Sequence, residues 1–480
     1  MKPLFYPDNK LPVVSPESVG IPSQAVERFM DAITQRSVSL HSFMLLRHGR
    51  IAAQCYYAPY THDRRHRIYS MSKSFTSAAV GIAIGEGLLS LKDRPAEMFQ
   101  EELDGPAHPF TQRMTLEDLL TMRTVHKGST DTSKGRWVHS FLNTPPSHPS
   151  GTTFAYDTTG THMACAMVQK VTGQTVEEYL QTRLLDPIGI GPIFWEQCER
   201  GICMGGSGIW CTTEDMARFG QLYLQDGIWN DRQILPAGWA QQSLSSHADN
   251  SCGHFAFDGN HGYGYYFWRT RHNGSCAFGM GGQLTIILPD EELVLSCTAN
   301  TLEYKDGQQL ILDSFWESIY PALQPQPLAQ NLQGFAHLQD RCAKAVTHLP
   351  GLAHSPWEDA VNGCDIQLDT GFEGISRLSF AFAGERGTLK LWRWGKELEI
   401  PFGMGHYLPL IDPFTGLDGF AAASFPTPQL MVIRVELPDH VQRHEFHCFF
   451  AKDRITVQLK TVGGLRNGVE RLNGYLGALL

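Results

Sequence analysis

The sequence predicts an α+β protein in which an antiparallel sheet covered by helices is followed by a separate β-rich domain. Three observations support this prediction. In residues 1–325, strand-like segments come first and last, with helix-like segments between them. Residues 321–327 are rich in proline and glutamine, which is typical of a linker. In residues 328–480, several segments alternate apolar and polar residues, and this period of two indicates strands.

The first domain begins and ends with hairpin patterns and has helical patterns between them. Its first hairpin turns at His48-Gly49, where glycine can adopt a positive φ. Residues 74–91 are rich in Ala, Ile, Leu and Gly and carry almost no charge, so they predict a buried helix. Thr115 and Thr175 each precede acidic residues, which is the pattern of a helix N-cap. The strand-like segments are residues 43–47, 50–57, 285–288 and 293–297.

Composition and charge exclude several classes of protein. With 42% hydrophobic and 18% charged residues, the chain is not disordered overall. A formal charge of −10, from 39 basic and 49 acidic side chains, argues against nucleic acid as a partner. We find no apolar run of the roughly 18 residues that a membrane span requires. The first eight residues lack the apolar core of a signal peptide, and the 11 cysteines include no C-x-x-C pair, so we expect a cytoplasmic protein with reduced thiols.

The motifs of several common chemistries are absent. The sequence contains no G-x-S-x-G, no phosphate-binding G-x-x-x-x-G-K-[ST] and no helix-opening G-x-G-x-x-G. His62 and His66 form one close histidine pair, and His444 and His447 form another. Neither pair is accompanied by the further convergent ligands that a metal site requires, so we expect packed or solvated histidines. The sequence therefore predicts neither a metal nor a cofactor.

One candidate for catalysis is Ser70-Met71-Ser72-Lys73, which directly precedes the predicted buried helix. Residues three apart lie on the same face of a helix, with Cβ atoms roughly 5–6 Å apart. Burial would lower the pKa of the lysine, and only a neutral amine can accept the proton of a serine hydroxyl. The N-terminus of the helix would also favour negative charge on the serine. An N-cap serine followed by a surface lysine is the structural alternative.

The segments around this motif resemble the serine β-lactamase and penicillin-binding-protein superfamily. Residues 68–78 resemble its first motif, and residues 149–160, which contain Tyr156, resemble its Tyr-x-Asn motif. Residues 278–283 resemble its third motif, and the ordered similarity extends over roughly residues 15–320. The resemblance implies that domain 1–325 combines the sheet with an all-helical subdomain. The Gly-Gly-Gln and Leu-Leu-Thr-Met segments are most similar to 6-aminohexanoate-oligomer hydrolases and related esterases.

The resemblance implies acyl transfer through a serine ester, without a cofactor. Ser70 would be the nucleophile, Lys73 its base and Tyr156 the acid for the leaving group. The backbone N–H groups of Ser70 and Met280 would bind the oxyanion. Thr158 and Gly279 would contact the substrate, which we expect to be a small-molecule ester or amide.

Two positions depart from the family pattern. Thr158 occupies the position of the usual Asn, and a hydroxyl cannot provide the paired donor and acceptor of an amide. Ala277, followed by Phe278, occupies the position of the usual Lys or His. Both changes favour neutral or weakly anionic substrates, and esters over penicillins. The alternatives are a penicillin-recognising β-lactamase, a D-stereospecific peptidase and a non-catalytic binding relative. The sequence leaves open whether the C-terminal domain covers the active-site mouth or mediates self-association.

Overall fold

The computed structural model describes residues 4–132, 135–251, 257–347, 349, 351–368, 374–452, 454–463 and 468–475. Two units are distinguished by their internal packing. The first consists of Met1–Tyr56, His62–Thr301 and Asp306–Ala343. The second consists of Tyr57–Thr61, Leu302–Lys305 and Lys344–Leu480.

The first unit is built on a six-stranded antiparallel sheet. The strands of the whole unit are β1 (Ser39–Arg47), β2 (Arg50–Tyr56), β3 (His66–Arg67), β4 (Phe194–Trp195), β5 (Ile209–Cys211), β6 (Ile228–Trp229), β7 (Arg232–Gln233), β8 (Trp268–Arg269), β9 (Ser275–Gly279), β10 (Gln283–Leu288) and β11 (Leu293–Asn300). The order in the large sheet is β2-β1-β11-β10-β9-β8, while β3-β5-β4 and β6-β7 form two small sheets. The two predicted hairpins are therefore confirmed as β1–β2 and β10–β11.

Helices cover both faces of this sheet, because β1, β10 and β11 are buried along their whole length. The helices are α1 (Ser23–Gln35), α2 (Ser72–Gly85), α3 (Pro95–Met98), α4 (Pro109–Arg113), α5 (Leu116–Leu120), α6 (Trp137–Asn143), α7 (Thr158–Thr172), α8 (Val176–Leu180), α9 (Thr213–Leu224), α10 (Trp239–Leu244), α11 (Gly307–Ser318) and α12 (Leu332–Ala343). Helix α9 packs on β1, β10 and β11. Phe219 on α9 stacks on Phe75 of α2, with ring centroids 3.9 Å apart.

Local sequence explains where several helices begin and end. Thr115 and Thr175 are N-caps with complete capping boxes, as predicted. The predicted buried helix is α2, but it ends at Gly85 rather than continuing to residue 91. The reason is Gly87, which has a φ of 74° and so takes the left-handed conformation that stops a helix. Helix α2 packs against α7 and α8, and α7 also contacts α5 and α6. These helices form the helical region beside the sheet.

Helix α12 belongs to the first unit, although it follows the predicted boundary at residues 325–328. Its Leu338 is buried, and ion pairs join His337 to Glu27 and Arg341 to Asp31 of α1 at 2.5 and 2.7 Å. The change between units along the chain therefore falls at residues 343–344. The division of the chain into domains 1–325 and 328–480 stays a prediction.

The second unit is a curled β-sheet, in agreement with the β-rich C-terminal domain expected from the sequence. Its elements are α13 (Trp357–Val361), β12 (Asp365–Leu368), β13 (Ile375–Ala383), β14 (Arg386–Arg393), β15 (Lys396–Met404), β16 (Leu408–Ile411), β17 (Asp418–Thr427), β18 (Leu430–Leu437), β19 (Gln442–Ala451), β20 (Arg454–Val462) and β21 (Gly468–Tyr475). The sheet order is β15-β14-β13-β12-β21-β20-β19-β18-β17-β16, and β15 also pairs with β17. This extra pairing curls the sheet around an apolar core that includes Phe380, Phe446 and Phe450.

Two short segments from earlier in the chain are part of the second unit. The backbone N–H of Ala58 donates to the carbonyl of Ala345 at 2.8 Å, and the N–H of Thr347 donates back to the carbonyl of Ala58. Glu303 forms an ion pair with Arg443 of β19 at 2.6 Å. Both segments therefore have defined partners in the C-terminal sheet.

No helix within the described ranges combines the length and apolar character needed to cross a membrane.

Candidate active site

Ser70 lies in a tight turn that leads directly into α2. The preceding residue, Tyr69, has a φ of 46°, and such left-handed backbone at a non-glycine residue costs free energy. Strand β9 passes so close to this turn that a Cβ on Gly279 would lie 2.0 Å from the carbonyl oxygen of Ile68. The glycine thus allows the strand to approach the serine. Ser70 itself is half-buried at the edge of a cavity.

Lys73 lies one turn along from Ser70, with its side chain only 1% exposed. Its Nζ donates to Ser70 Oγ at 3.1 Å and to the carbonyl oxygen of Gly206 at 2.7 Å. Among the described residues, no carboxylate forms an ion pair with this amine. Burial lowers the pKa of Lys73 to about 7, although the charge of Asp157 acts in the opposite direction. A large fraction of the amine is therefore neutral near pH 7, as a proton acceptor must be.

Gly206 allows its carbonyl to reach the amine because it has no side chain. A Cβ at this position would lie 2.4 Å from Thr158 Cγ2 and 3.4 Å from Lys73 Nζ. Thr158, the first residue of α7, thus packs against the residue that holds Lys73. Its backbone N–H donates to Ser129 Oγ at 2.8 Å.

Tyr156 faces both predicted partners. The centroid of its ring is 4.8 Å from Lys73 Nζ, and its hydroxyl forms a hydrogen bond with the Ser70 side chain. Burial raises the pKa of the phenol well above its ordinary value, and the hydrogen bond to Ser70 offsets only part of this rise. The phenol is therefore protonated at neutral pH and able to donate. Its ring stacks on Trp268, with centroids 5.4 Å apart.

A cavity of about 190 Å³ opens beside Ser70. The predicted oxyanion pair, Ser70 and Met280, lies on its wall together with Gly279. Among the residues that the structure describes, the lining consists of Ser70, Tyr156, Gly259, Trp268, Phe278, Gly279, Met280, Gln308 and Gln309. Of the predicted site residues, Ser70, Tyr156, Gly279 and Met280 thus lie on the wall of one cavity. Lys73 and Thr158 are not among its described lining residues: Lys73 is connected to the cavity by its hydrogen bond to Ser70, and Thr158 packs on Gly206.

The cavity wall is apolar and aromatic where the family pattern has a cation. Ala277 is 1% exposed and pairs with Thr285 in the sheet, so it offers nothing to a ligand. Phe278 lines the cavity next to Trp268, with ring centroids 6.3 Å apart. The described lining contains no lysine or arginine.

Four lining residues were not predicted from the sequence, and one of them, Gly259, lies in the segment before β8. Trp268 comes from β8, a strand of two residues, and Gln308 and Gln309 come from the first turn of α11. The amide of Gln309 donates to Asp258 Oδ2 at 2.6 Å. No sequence signal marks these residues, because they reach the cavity only through the tertiary packing of distant segments.

The histidine pairs take no part in the cavity. His66 is buried and its Nε2 lies 3.2 Å from Nδ1 of His41; burial lowers the pKa of His66 to about 3. His447 contacts Glu445 at 2.9 Å in the C-terminal sheet. Within the part of the chain that the structure describes, no group of three or more His, Cys, Asp or Glu side chains is placed to hold a metal ion.

Comparisons with known proteins agree with this architecture. The 6-aminohexanoate-dimer hydrolase of Paenarthrobacter ureafaciens is 25% identical over 262 residues, which cover 48% of this chain and 66% of that protein, slightly under two thirds of its length. The octameric penicillin-binding protein homologue from Pyrococcus abyssi has a TM-score of 0.50 at 14% identity, over 94% of this chain and 99% of that chain. A family VIII carboxylesterase has a TM-score of 0.52 at 15% identity, over 65% and 99% of the two chains.

The two structural similarities show the β-lactamase/transpeptidase fold, and the first extends over the C-terminal β-sheet as well. A family model described as "Beta-lactamase" matches residues 23–312, which is more than half of the sequence. The chain therefore belongs to the beta-lactamase family, and its relatives include hydrolases of amides and esters.

Proposed function

We propose that the protein is a serine hydrolase that cleaves ester or amide bonds of small neutral molecules through an acyl-enzyme on Ser70. One observation carries the proposal: a buried lysine amine, with a pKa lowered to about 7, donates a hydrogen bond to Ser70 Oγ at 3.1 Å. A surface lysine beside an N-cap serine, the structural alternative, would be exposed and fully protonated. The side chain of Lys73 is instead 1% exposed.

The first step would form the acyl-enzyme. The neutral amine of Lys73 accepts the proton of Ser70 as Oγ forms a bond to the substrate carbonyl carbon, and the carbonyl π electrons move to oxygen. The N–H groups of Ser70 and Met280 would donate to this oxyanion. The ammonium that forms on Lys73 keeps the Gly206 carbonyl as an acceptor at 2.7 Å.

The second step would release the leaving group. When the oxyanion collapses, the bond to the alcohol or amine breaks, and Tyr156 donates its proton to the departing atom. The ammonium of Lys73, 4.8 Å from the Tyr156 ring, is close enough to return a proton to the phenolate through a small movement or one water. Water then attacks the serine ester by the same steps in reverse order and restores Ser70. The proton transfers in these steps use side chains and water, and backbone groups bind the oxyanion and the Lys73 ammonium.

The cavity favours neutral and apolar substrates. Its aromatic wall of Tyr156, Trp268 and Phe278 suits an aryl or branched acyl group. A penicillin or a peptide with a free carboxylate would meet the aromatic ring of Phe278, because the position of the family's cation is occupied by the buried Ala277. The names of the amide- and ester-cleaving relatives agree with hydrolysis of either bond type.

A fluorophosphonate probe tests the proposal directly, because Ser70 Oγ would attack phosphorus and expel fluoride. We expect the purified protein to be labelled at Ser70 and to hydrolyse p-nitrophenyl esters. Ser70→Ala should abolish labelling and lower hydrolysis about a thousandfold or more. Ser77→Ala, the same change at a buried serine of α2 outside the cavity, is the matched control. Well-folded parent protein that is not labelled would favour the non-catalytic binding relative instead.

Two further expectations stay predictions. One of them is a cytoplasmic location. The other is self-association of this chain. The Pyrococcus abyssi homologue is described as octameric, and mass photometry of the purified protein would measure the oligomeric state of this chain.

A further inference from the structure

We infer that Asp157 is an electrostatic positioning residue for the proposed reaction, whose buried negative charge allows Lys73 to hold the proton it takes from Ser70. The inference rests on the proposed function. Asp157 contacts neither the cavity nor Ser70, so it would act through Lys73 rather than on a substrate.

Asp157 is a fully buried carboxylate without a cationic partner. It is the N-cap of α7, and its side chain is 0% exposed. Its Oδ1 accepts from the Gly160 N–H at 3.0 Å, and hydroxyl groups also donate to the carboxylate, from Thr159 at 2.7 Å and Thr124 at 2.9 Å. All three donors are neutral. Within the described ranges no lysine, arginine or histidine forms an ion pair with it, although a buried charge is usually paired.

The neighbours of Asp157 in the chain both lie against Lys73. Tyr156 has its ring centroid 4.8 Å from Lys73 Nζ. Thr158 packs on Gly206, whose carbonyl accepts from the same amine. These contacts bring the backbone on either side of Asp157 next to the amine, and because both Asp157 and Lys73 are buried, little water screens the electrostatic interaction between them.

Among the described residues, Asp157 is the carboxylate that acts electrostatically on Lys73, and the other titratable side chains around it are phenols, a thiol and an imidazole. Burial raises the pKa of the surrounding phenols and thiol and lowers that of the imidazole, so that all of them are neutral near pH 7. These groups are Tyr156 and Cys165 on or next to α7, His126 after α5, and Tyr263 and Tyr266 before β8. The field at Lys73 therefore comes from Asp157 and the neutral dipoles around it.

The charge of Asp157 offsets the effect of burial on the basicity of Lys73. Burial alone makes a lysine a poor base, because the ammonium formed by proton transfer has no counter-charge. The carboxylate of Asp157 raises the pKa of Lys73 against this effect, which leaves it at about 7. The capping role alone does not require a charge, since Asn and Ser cap helices as well as Asp does.

The test compares Asp157→Asn and Asp157→Ser with the parent. Both variants retain a capping side chain and remove the charge. The measurement is the rate of fluorophosphonate labelling at Ser70 between pH 5 and pH 9. We expect the acid-side midpoint of the rate profile to move down by about one pH unit, and the plateau rate to fall, because a less basic amine is a weaker base. Asp215→Asn removes a capping-box carboxylate from α9 and should leave the midpoint unchanged.

Each outcome decides the matter. A lower midpoint in either folded neutral variant supports the inference. An unchanged midpoint in folded variants overturns it and leaves the proposed function intact. If neither neutral variant folds while Asp157→Glu does, the charge serves the fold rather than Lys73, and the inference fails. A parent protein that is not labelled at all contradicts the proposed function itself.

Discussion

Replacing Lys73 by methionine is expected to stabilise the protein while abolishing labelling of Ser70. In the native state the pKa of Lys73 is about 7, whereas an unfolded chain gives lysine its ordinary value of 10.5. Between these two values the unfolded chain binds more protons than the native protein. The stability of the parent therefore rises as the pH rises from 7 to 10.5, and at pH 7 the buried lysine opposes folding.

The magnitude follows from the difference of 3.5 between the two pKa values. At 1.36 kcal/mol for each unit the full difference amounts to about 5 kcal/mol, and about 4 kcal/mol of folding free energy is lost at pH 7, where Lys73 is half-protonated in the native protein. Methionine has a similar length and no charge, but it leaves the carbonyl of Gly206 without the amine, which costs about 2 kcal/mol. We therefore expect a net gain of about 2 kcal/mol, which corresponds to a melting temperature about 4 °C higher.

Calorimetry of the parent and Lys73→Met between pH 7 and pH 10 measures this effect. The advantage of the variant should shrink as the pH rises, because the parent gains stability over that range. Lys92→Met, the same change at an exposed lysine, should show no such pH dependence. A variant that is less stable than the parent by the same amount at every pH would refute the reasoning, since it would mean that Lys73 is charged in the native protein.

The remaining predictions concern catalysis. Ester hydrolysis should rise with pH through a midpoint near 7, because deprotonated Lys73 is required; a flat profile between pH 5.5 and 8.5 would argue against this amine as the base. Gly206→Ala should lower kcat/KM about tenfold or more, since its Cβ would lie 2.4 Å from Thr158 Cγ2, whereas Gly191→Ala enters open space and should have no effect. Phe278→Lys should raise the rate for a carboxylate-bearing ester about tenfold relative to a neutral one, and equal changes for both esters would contradict the assignment of the wall.

Local patterns predicted those features that depend on local interactions. The capping boxes at Thr115 and Thr175 satisfy backbone donors within one turn, so a few letters of sequence are enough to place them. The turn at Gly49 is similarly local, with a φ of 69°. The pairing of Ser70 with Lys73 follows from helix periodicity, but the burial that makes the amine reactive does not.

Other parts of the candidate site depended on family resemblance or could not be predicted at all. Tyr156 and Met280 are more than 80 residues from Ser70, and only the order of the motifs connected them to it. Trp268 lies on a strand of two residues, too short for any periodic pattern. Gly206 and Asp157 act through what they touch inside the fold, and composition and spacing contain no trace of such contacts.

The two short segments that join the C-terminal sheet, residues 57–61 and 302–305, have a practical consequence for protein engineering. Cutting the chain at a single point would not produce a clean exchange of the C-terminal module, because the loops after β2 and β11 would keep contact surfaces whose partners had been removed. A chimaera with a relative should therefore transplant both loops together with residues 344–480. The second unit is therefore formed by three separate stretches of the chain.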